Sequence, residues 1–150
     1  MEWVILFIMN WILFFLLVDW KGLKVNIWGG VFAVGMQMAV DGQFEAHQLY
    51  IIHDGIIYIL GSSLFFVLGP VFVIGILFVQ YHPIKRWAVI LHVLMASAMF
   101  AVTEYLLLQR KALEYINWKL MISLSTDIAA LGLLSWAFIV IFEKRRELRS

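Results

Sequence analysis

The chain of 150 residues contains no cysteine, only two prolines, and charged residues at only 14% of its positions. The absence of cysteine excludes disulfide bonds, thiolate catalysis, cysteine-ligated zinc and iron–sulfur clusters. A formal net charge of +1 gives no electrostatic case for nucleic acid as a partner. Globular domains have about 25% charged residues, whereas 64% of this chain is hydrophobic. The composition therefore predicts a membrane protein that forms a single transmembrane domain, residues 1–150.

Five apolar segments follow one another along the sequence, at residues 3–18, 25–40, 55–79, 87–108 and 120–142. The last three are each long enough to cross a hydrocarbon core of ~30 Å at ~1.5 Å per residue, and the first becomes adequate if it continues to Trp20. The second is short and contains Asn26, Gln37 and three glycines, so it either crosses the membrane or forms a re-entrant or interfacial segment. We predict an all-α bundle of five transmembrane helices, with four helices plus that segment as the alternative.

Loop charge predicts the orientation, because Lys and Arg accumulate on the cytoplasmic side of a membrane. Five crossings with the N-terminus outside place most of the 11 basic residues inside, namely Lys21, Lys24, Lys85, Arg86, Lys144, Arg145, Arg146 and Arg149. Only Arg110, Lys111 and Lys119 then lie outside. Four crossings would divide the basic residues almost evenly. The sequence therefore predicts an outside N-terminus and an inside C-terminus, with the lipid bilayer as the main partner.

Two ionisable residues need an explanation, because a charge at the centre of a bilayer costs about 2.5–3.5 kcal/mol. Glu104 and Asp127 are the only charged residues inside the five segments. In the five-helix arrangement both lie in the outer half of the bundle. Counting the helical rise from the segment ends predicts a shared polar layer at this depth, made of Asn10, Gln37, Glu104, Ser123, Thr126 and Asp127.

This layer has a structural and a functional interpretation. In the first, Glu104 pairs with Lys119, and Asp127 is neutral or bonded to Ser123 and Asn10, so that the layer holds the helices together. In the second, it is a pocket open to the outside that binds a cation or a proton. The leading prediction is a non-enzymatic membrane protein whose outer polar pocket acts in binding or intramembrane interaction. A cation- or proton-linked transporter or channel subunit using Glu104 and Asp127 is the alternative, and an intramembrane enzyme is the third.

The segment between the second and third apolar stretches contains the residue types that ligate metals, namely Asp41, Glu45, His47, His53 and Asp54. Their spacing matches no metal motif. We therefore predict a solvated loop without a cofactor, with His47, His53 and Asp54 as weak metal candidates and Tyr50 as an interfacial anchor.

Catalytic motifs are absent from the sequence: there is no GxSxG elbow, no P-loop and no HExxH. We assign no catalytic residue. A histidine within hydrogen-bond reach of a serine, or of a bound metal, would be the feature that favours an enzyme. The interpretation of His92, inside the fourth segment, is a neutral packing histidine with a hydrogen-bond partner.

Small residues in the third segment predict how it packs. Pro70 lacks a backbone donor and predicts a bend near Gly69. Gly61, Gly69 and Gly75 would let a neighbouring helix approach closely. This glycine face predicts packing within the bundle, and it offers a route to a homo-oligomer.

The second half of the chain carries an ordered set of landmarks, namely Gly69-Pro70, Tyr81-His82-Pro83 with Lys85, Glu104, Tyr115, Trp118-Lys119, Ser123 and Ser125. This order resembles an uncharacterised family of small multi-helix integral membrane proteins from Gram-positive, largely spore-forming bacteria. The resemblance implies a protein of four to five helices in the cytoplasmic (plasma) membrane, with an acid at the position of Glu104. It implies no activity.

Overall fold

The computed structural model describes residues 1–53 and 56–143, which are mostly helical. The helices are α1 (Glu2–Leu17), α2 (Leu23–Ala46), α3 (Leu64–Gln80), α4 (Arg86–Gln109) and α5 (Leu120–Phe138). The strands are β1 (Tyr50–Ile52), β2 (Tyr58–Ile59), β3 (Ser62–Ser63) and β4 (Leu113–Tyr115). Consecutive helices run in opposite directions, so their connections alternate between two ends of the bundle. The strands lie at one end, called the sheet end, and the turns 18–22 and 81–85 lie at the other, called the turn end.

The two ends of the bundle differ in how they are closed. At the sheet end, β1 pairs antiparallel with β4, and Tyr50 lies opposite Tyr115. The neighbouring strands β2 and β3 form a separate hairpin. At the turn end, the turns 18–22 and 81–85 meet, because Gln80 donates to the carbonyl of Leu17 (2.7 Å) and accepts from the amide of Asp19 (2.8 Å).

Helix lengths bear on two predictions about the apolar segments. The second segment belongs to α2, a continuous helix of 24 residues, which agrees with the predicted helix rather than with the re-entrant alternative. Within the described residues, α2, α4 and α5 are the three helices long and apolar enough to cross a membrane. The third segment was predicted to span residues 55–79, but the helix in it begins only at Leu64, since the β2–β3 hairpin comes first. Gly61 adopts a φ of 80° in that hairpin, which is a left-handed conformation that glycine favours and that is incompatible with a right-handed helix.

Glycines fix the distance between α2 and α3. A Cβ on Gly29 would lie 2.7 Å from the carbonyl oxygen of Gly75, and a Cβ on Gly75 would lie 2.8 Å from that of Gly29. Gly69 is equally close to α1, because its Cβ would lie 2.9 Å from the Cα of Phe7. The sequence predicts packing within the bundle for Gly61, Gly69 and Gly75, and α1 and α2 of the same chain do cover them, with Gly61 against Glu45 of α2. Self-association itself stays a prediction.

Proline creates an irregularity in α3. The backbone from Val67 to Val71 forms a π-helical turn around Pro70. A π-turn accommodates proline because the ring removes one donor and crowds the carbonyl of the preceding turn. The irregularity lies where the sequence predicts the bend.

The outer surface of the bundle is apolar rather than polar. Large side chains such as Trp28, Ile90, Met95 and Met121 are more than half exposed. Soluble domains rarely expose contiguous apolar surface on this scale, whereas hydrocarbon tails are a suitable solvent for it. Together with the three long apolar helices, this surface fits a membrane protein.

Candidate functional site

A cavity of about 110 Å³ lies beneath the sheet end, between helices α2, α4 and α5. Three carboxyl side chains line it, one from each helix: Asp41, Glu104 and Asp127. The other polar residues of its wall are Gln37, Tyr50, Ser62, Ser123 and Thr126. No lysine or arginine lines this carboxylate cavity among the residues that the structure describes. The site is therefore rich in acids and lacks a basic counter-ion of its own.

Asp41 is the most buried of the three acids, with 1% of its surface exposed. Its Oδ1 accepts hydrogen bonds from Gln37 Nε2 (2.8 Å) and from the Tyr50 hydroxyl (2.5 Å). Its Oδ2 and the Ser62 Oγ are both buried, and no donor of the described chain meets the Oδ2 in good hydrogen-bond geometry; Ser62 is nevertheless near enough to act as a weak donor to the Asp41 carboxyl. The prediction that Asp41 lies in a solvated loop is wrong, because α2 continues past it to Ala46.

Glu104 is satisfied by hydroxyl groups. The Tyr115 hydroxyl donates to Oε1 (2.5 Å), and Ser123 Oγ donates to Oε2 (2.6 Å). The predicted pair with Lys119 is wrong, since this lysine forms no ion pair in the described structure. Ser123 is also not the partner of Asp127, because its only hydroxyl proton goes to Glu104.

Asp127 lines the same cavity and accepts no hydrogen bond from the residues that the structure describes. Its neighbour Thr126 donates its hydroxyl to the carbonyl of Ile122 (3.0 Å). The predicted partner Asn10 is elsewhere: its Nδ2 donates to the carbonyl of Leu6 in α1 (2.9 Å), and it does not line the cavity. Helix α1 packs against α3, which places Asn10 away from the acids although its depth is similar.

Two tyrosines from the sheet donate to acids of the cavity, and one of them, Tyr50, also lines it. Tyr50 and Tyr115 are opposite each other on β1 and β4, and each donates to a carboxyl of a different helix. Burial raises the pKa of Tyr50 far above its usual range, and the carboxyl of Asp41 raises it further. Burial and Glu104 likewise raise the pKa of Tyr115. Both phenols therefore stay protonated and keep donating.

Sequence reasoning missed part of this arrangement. Tyr50 was interpreted as an interfacial anchor, and Tyr115 and Ser62 were not assigned to the site. The spacing of Gln37 and Asp41 was a usable signal, because residues four apart on a helix contact each other. The contribution of Tyr115 depends on a strand pairing that has no local signal.

The weak metal candidates do not form a centre. The described residues hold no group of three His, Asp or Glu side chains placed to bind a metal ion. His53 pairs with Glu114 (Nε2 to Oε2, 3.0 Å) at the surface, and His47 is exposed. Asp54 lies outside the described residues.

The other two histidines, His82 and His92, lie in a different region, the core near the turn end. His92 stacks on Phe78 and bonds to its carbonyl oxygen (2.9 Å), which is the packing role predicted for it. His82 Nε2 lies 2.7 Å from Ser135 Oγ, the pairing that would favour an enzyme. Ser135, however, is only 3% exposed and does not line the carboxylate cavity. The pair has the distance of a nucleophile and its base, but a substrate has no access to the hydroxyl.

No family model, curated protein or solved structure matches the chain. The resemblance to a family of bacterial membrane proteins therefore stays a prediction. The chemistry of the carboxylate cavity is therefore the only basis for assigning a function.

Proposed function

We propose that the chain is a non-enzymatic, multi-pass membrane protein that binds a small organic cation in the carboxylate cavity. The observation that carries this proposal is that three acids line one cavity whose described wall contains no lysine or arginine, while the buried Asp41 Oδ2 meets no described donor in good hydrogen-bond geometry. A buried carboxylate is costly unless a charge or a hydrogen bond compensates it. A bound cation would supply both.

Counting donors identifies where the cation would bind. Three carboxylates offer six oxygens, and four protein donors are spent on Glu104 and on one oxygen of Asp41. The carboxyl of Asp127 remains without a donor, and Asp41 Oδ2 has only the weak donor Ser62 beside it. A primary ammonium group carries three N–H donors, so its donors suit this remaining set of oxygens.

An ammonium ion suits the cavity better than a metal ion does. Divalent metals require several oxygens at about 2.0–2.6 Å, and the described acids form no such cluster. The hydrogen bonds from an ammonium group to a carboxylate are longer than metal–oxygen bonds, at about 2.7–2.9 Å. An ammonium group therefore needs fewer oxygens close to one point than a metal ion does. The cavity volume of 110 Å³ is also below the ~300 Å³ of sites for larger ligands, which favours a small head group.

The proposed placement in the membrane is five crossings, with the N-terminus outside and the cavity in the outer half. Lys21, Lys24, Lys85 and Arg86 lie at or beside the turns of the turn end, which supports a cytoplasmic position for that end. Single cysteines in this cysteine-free chain test the placement, using His47→Cys at the sheet end and Ile84→Cys at the turn end, both exposed. An impermeant maleimide added to intact cells should label position 47 alone; labelling of position 84 alone would overturn the orientation.

Binding, rather than transport, is the activity we propose. Transport needs a path to the second side of the membrane. On the turn-end side of the cavity, α3, α4 and α5 are packed together by a core that includes Phe78, Val93 and Leu134. Proteoliposomes should accordingly show no methylammonium flux above that of protein-free vesicles. A flux that is present in the wild type and lost in Glu104→Gln would favour the transporter alternative.

Calorimetric titration of the purified protein in nanodiscs with methylammonium tests the proposed function. We expect saturable binding that Asp127→Asn weakens at least thirtyfold (about 2 kcal/mol), since removing one partner of a desolvated charge pair costs about 2–5 kcal/mol. Asp19→Asn is the matched control, because this exposed acid lies at the opposite end of the bundle. Absence of binding to the wild type, or equal affinities in the two variants, would contradict the proposal.

A further inference from the structure

A second, larger cavity of about 690 Å³ opens between α2 and α5, on the turn-end side of the carboxylate cavity. Every residue that lines this groove is apolar or glycine, and Trp28 and Phe32 form part of its exposed rim. The groove exists because α2 and α5 contact each other much less than α2 contacts α3. It faces the surroundings of the bundle rather than its core.

The groove and the carboxylate cavity are adjacent. Met36 of α2 and Leu134 of α5 line both of them. Methionine is flexible and adapts to different neighbours, so a thin and deformable wall separates an acidic cavity from an apolar groove. A single ligand could therefore occupy both, provided that it is cationic at one end and apolar at the other.

We propose that the ligand is an amphiphilic primary amine, whose ammonium group binds the carboxylates while its hydrocarbon tail lies in the groove between α2 and α5. This proposal rests on the proposed function and names its ligand class. From the shared wall at Met36, the groove continues along α2 to Trp28, about 12 Å by helical rise, and this distance sets the length of tail that it can hold. The three acids would repel the phosphate of a phospholipid, so the occupant is an amine without phosphate.

The geometry of Gly35 provides a specific test of the tail. Gly35 lines the groove, and a Cβ added to it would meet no atom within 4 Å. Gly35→Leu would therefore project into the groove without disturbing the fold, and leucine is the better helix former. Gly132→Leu is the matched control, because Gly132 has equally open space on α5 and lines neither cavity.

The experiment is calorimetric titration in phosphatidylcholine nanodiscs, with methylammonium and octylammonium as probes. The ratio of octylammonium to methylammonium affinity should fall at least tenfold in Gly35→Leu and stay unchanged in Gly132→Leu. An unchanged ratio in Gly35→Leu, or an equal fall in both variants, would overturn the tail assignment while methylammonium binding still supports the proposed function. Wild-type protein that binds neither probe would overturn the proposed function itself. Competition by added phosphatidylethanolamine would overturn the choice of an amine without phosphate.

Discussion

The two halves of the bundle bury polar side chains in different ways. Near the turn end, His82 and His92 are hydrogen-bonded to a serine and to a backbone carbonyl, within a core of aromatic and aliphatic residues. Near the sheet end, three acids face one cavity, and their oxygens outnumber the donors that the protein supplies. Polar groups that find neutral partners contribute to packing, whereas acceptors left without donors require an explanation, and the bound cation that we propose is one.

The same difference separates two kinds of tyrosine. Tyr50 donates to the carboxyl of buried Asp41, while Tyr81 donates to the carbonyl of Leu17 at the exposed turn end. The first bond closes the cavity with a donor from the sheet. The second joins two turns in contact with solvent. The structure therefore offers matched substitutions with which to compare the two ends.

The largest effect on stability is expected from Tyr50→Phe. Loss of a hydrogen bond to a buried carboxyl should lower the free energy of unfolding by about 1.5–3 kcal/mol, whereas Tyr81→Phe loses a bond to an exposed neutral carbonyl and should cost about 0.5–1.5 kcal/mol. Denaturant unfolding of both variants in the same detergent measures the difference. Equal losses would remove the distinction between the two ends.

The pH dependence of Tyr50 should be the next largest effect. Burial raises the pKa of this phenol, and the Asp41 carboxyl raises it further, so the folded state keeps a proton that the unfolded chain loses near pH ~10. The stability due to this raised pKa is complete below about pH 10 and falls as the pH rises above it.

The direction of this pH dependence predicts a difference in stability between the wild type and Tyr50→Phe. Between about pH 10 and about pH 11, the wild type should lose about 1 kcal/mol more unfolding free energy than Tyr50→Phe does. Denaturant titrations at the two pH values measure both losses. Identical losses would show that the folded protein ionises Tyr50 as readily as the unfolded chain does.

The smallest effect is expected at the turn end, from Ser135→Ala. This variant removes the hydroxyl bonded to His82 and should cost about 0.5–1.5 kcal/mol of stability, with methylammonium binding unchanged. Thermal unfolding and calorimetric titration of one preparation give both values. A loss of binding in Ser135→Ala would place the ligand in the histidine region rather than in the carboxylate cavity.

The depth of each polar residue along its helix was predictable from the sequence, but the side of the helix that faces the cavity was not. Counting the helical rise places Gln37, Glu104 and Asp127 in one layer, and the structure brings them to one cavity. Asn10 has a similar depth and is excluded, because the contact of α1 with α3 depends on which face of each helix is apolar and small. The mean hydropathy of these segments is so high that no polar face marks that direction.

The predicted helix boundaries were wrong where hydrogen-bond partners outweigh hydropathy. Asp41 was placed in a loop because it ends an apolar run, yet α2 includes it, since Gln37 and Tyr50 satisfy one of its oxygens. The opposite error occurred before Leu64, where an apolar stretch forms the β2–β3 hairpin rather than helix. The pairing of β1 with β4 joins residues about 60 positions apart, and a pattern confined to one segment contains no information about it.

The central claim is that carboxylates of the cavity meet the bound cation directly. Infrared difference spectroscopy of the wild type, recorded with and without methylammonium, measures it through the carboxyl and carboxylate stretching bands. We expect a band change that saturates with binding, is reduced in Asp127→Asn by the contribution of that carboxyl, and is retained in full in Asp19→Asn. Saturable binding without any carboxyl band change, or the same change in Asp127→Asn as in the wild type, would contradict it.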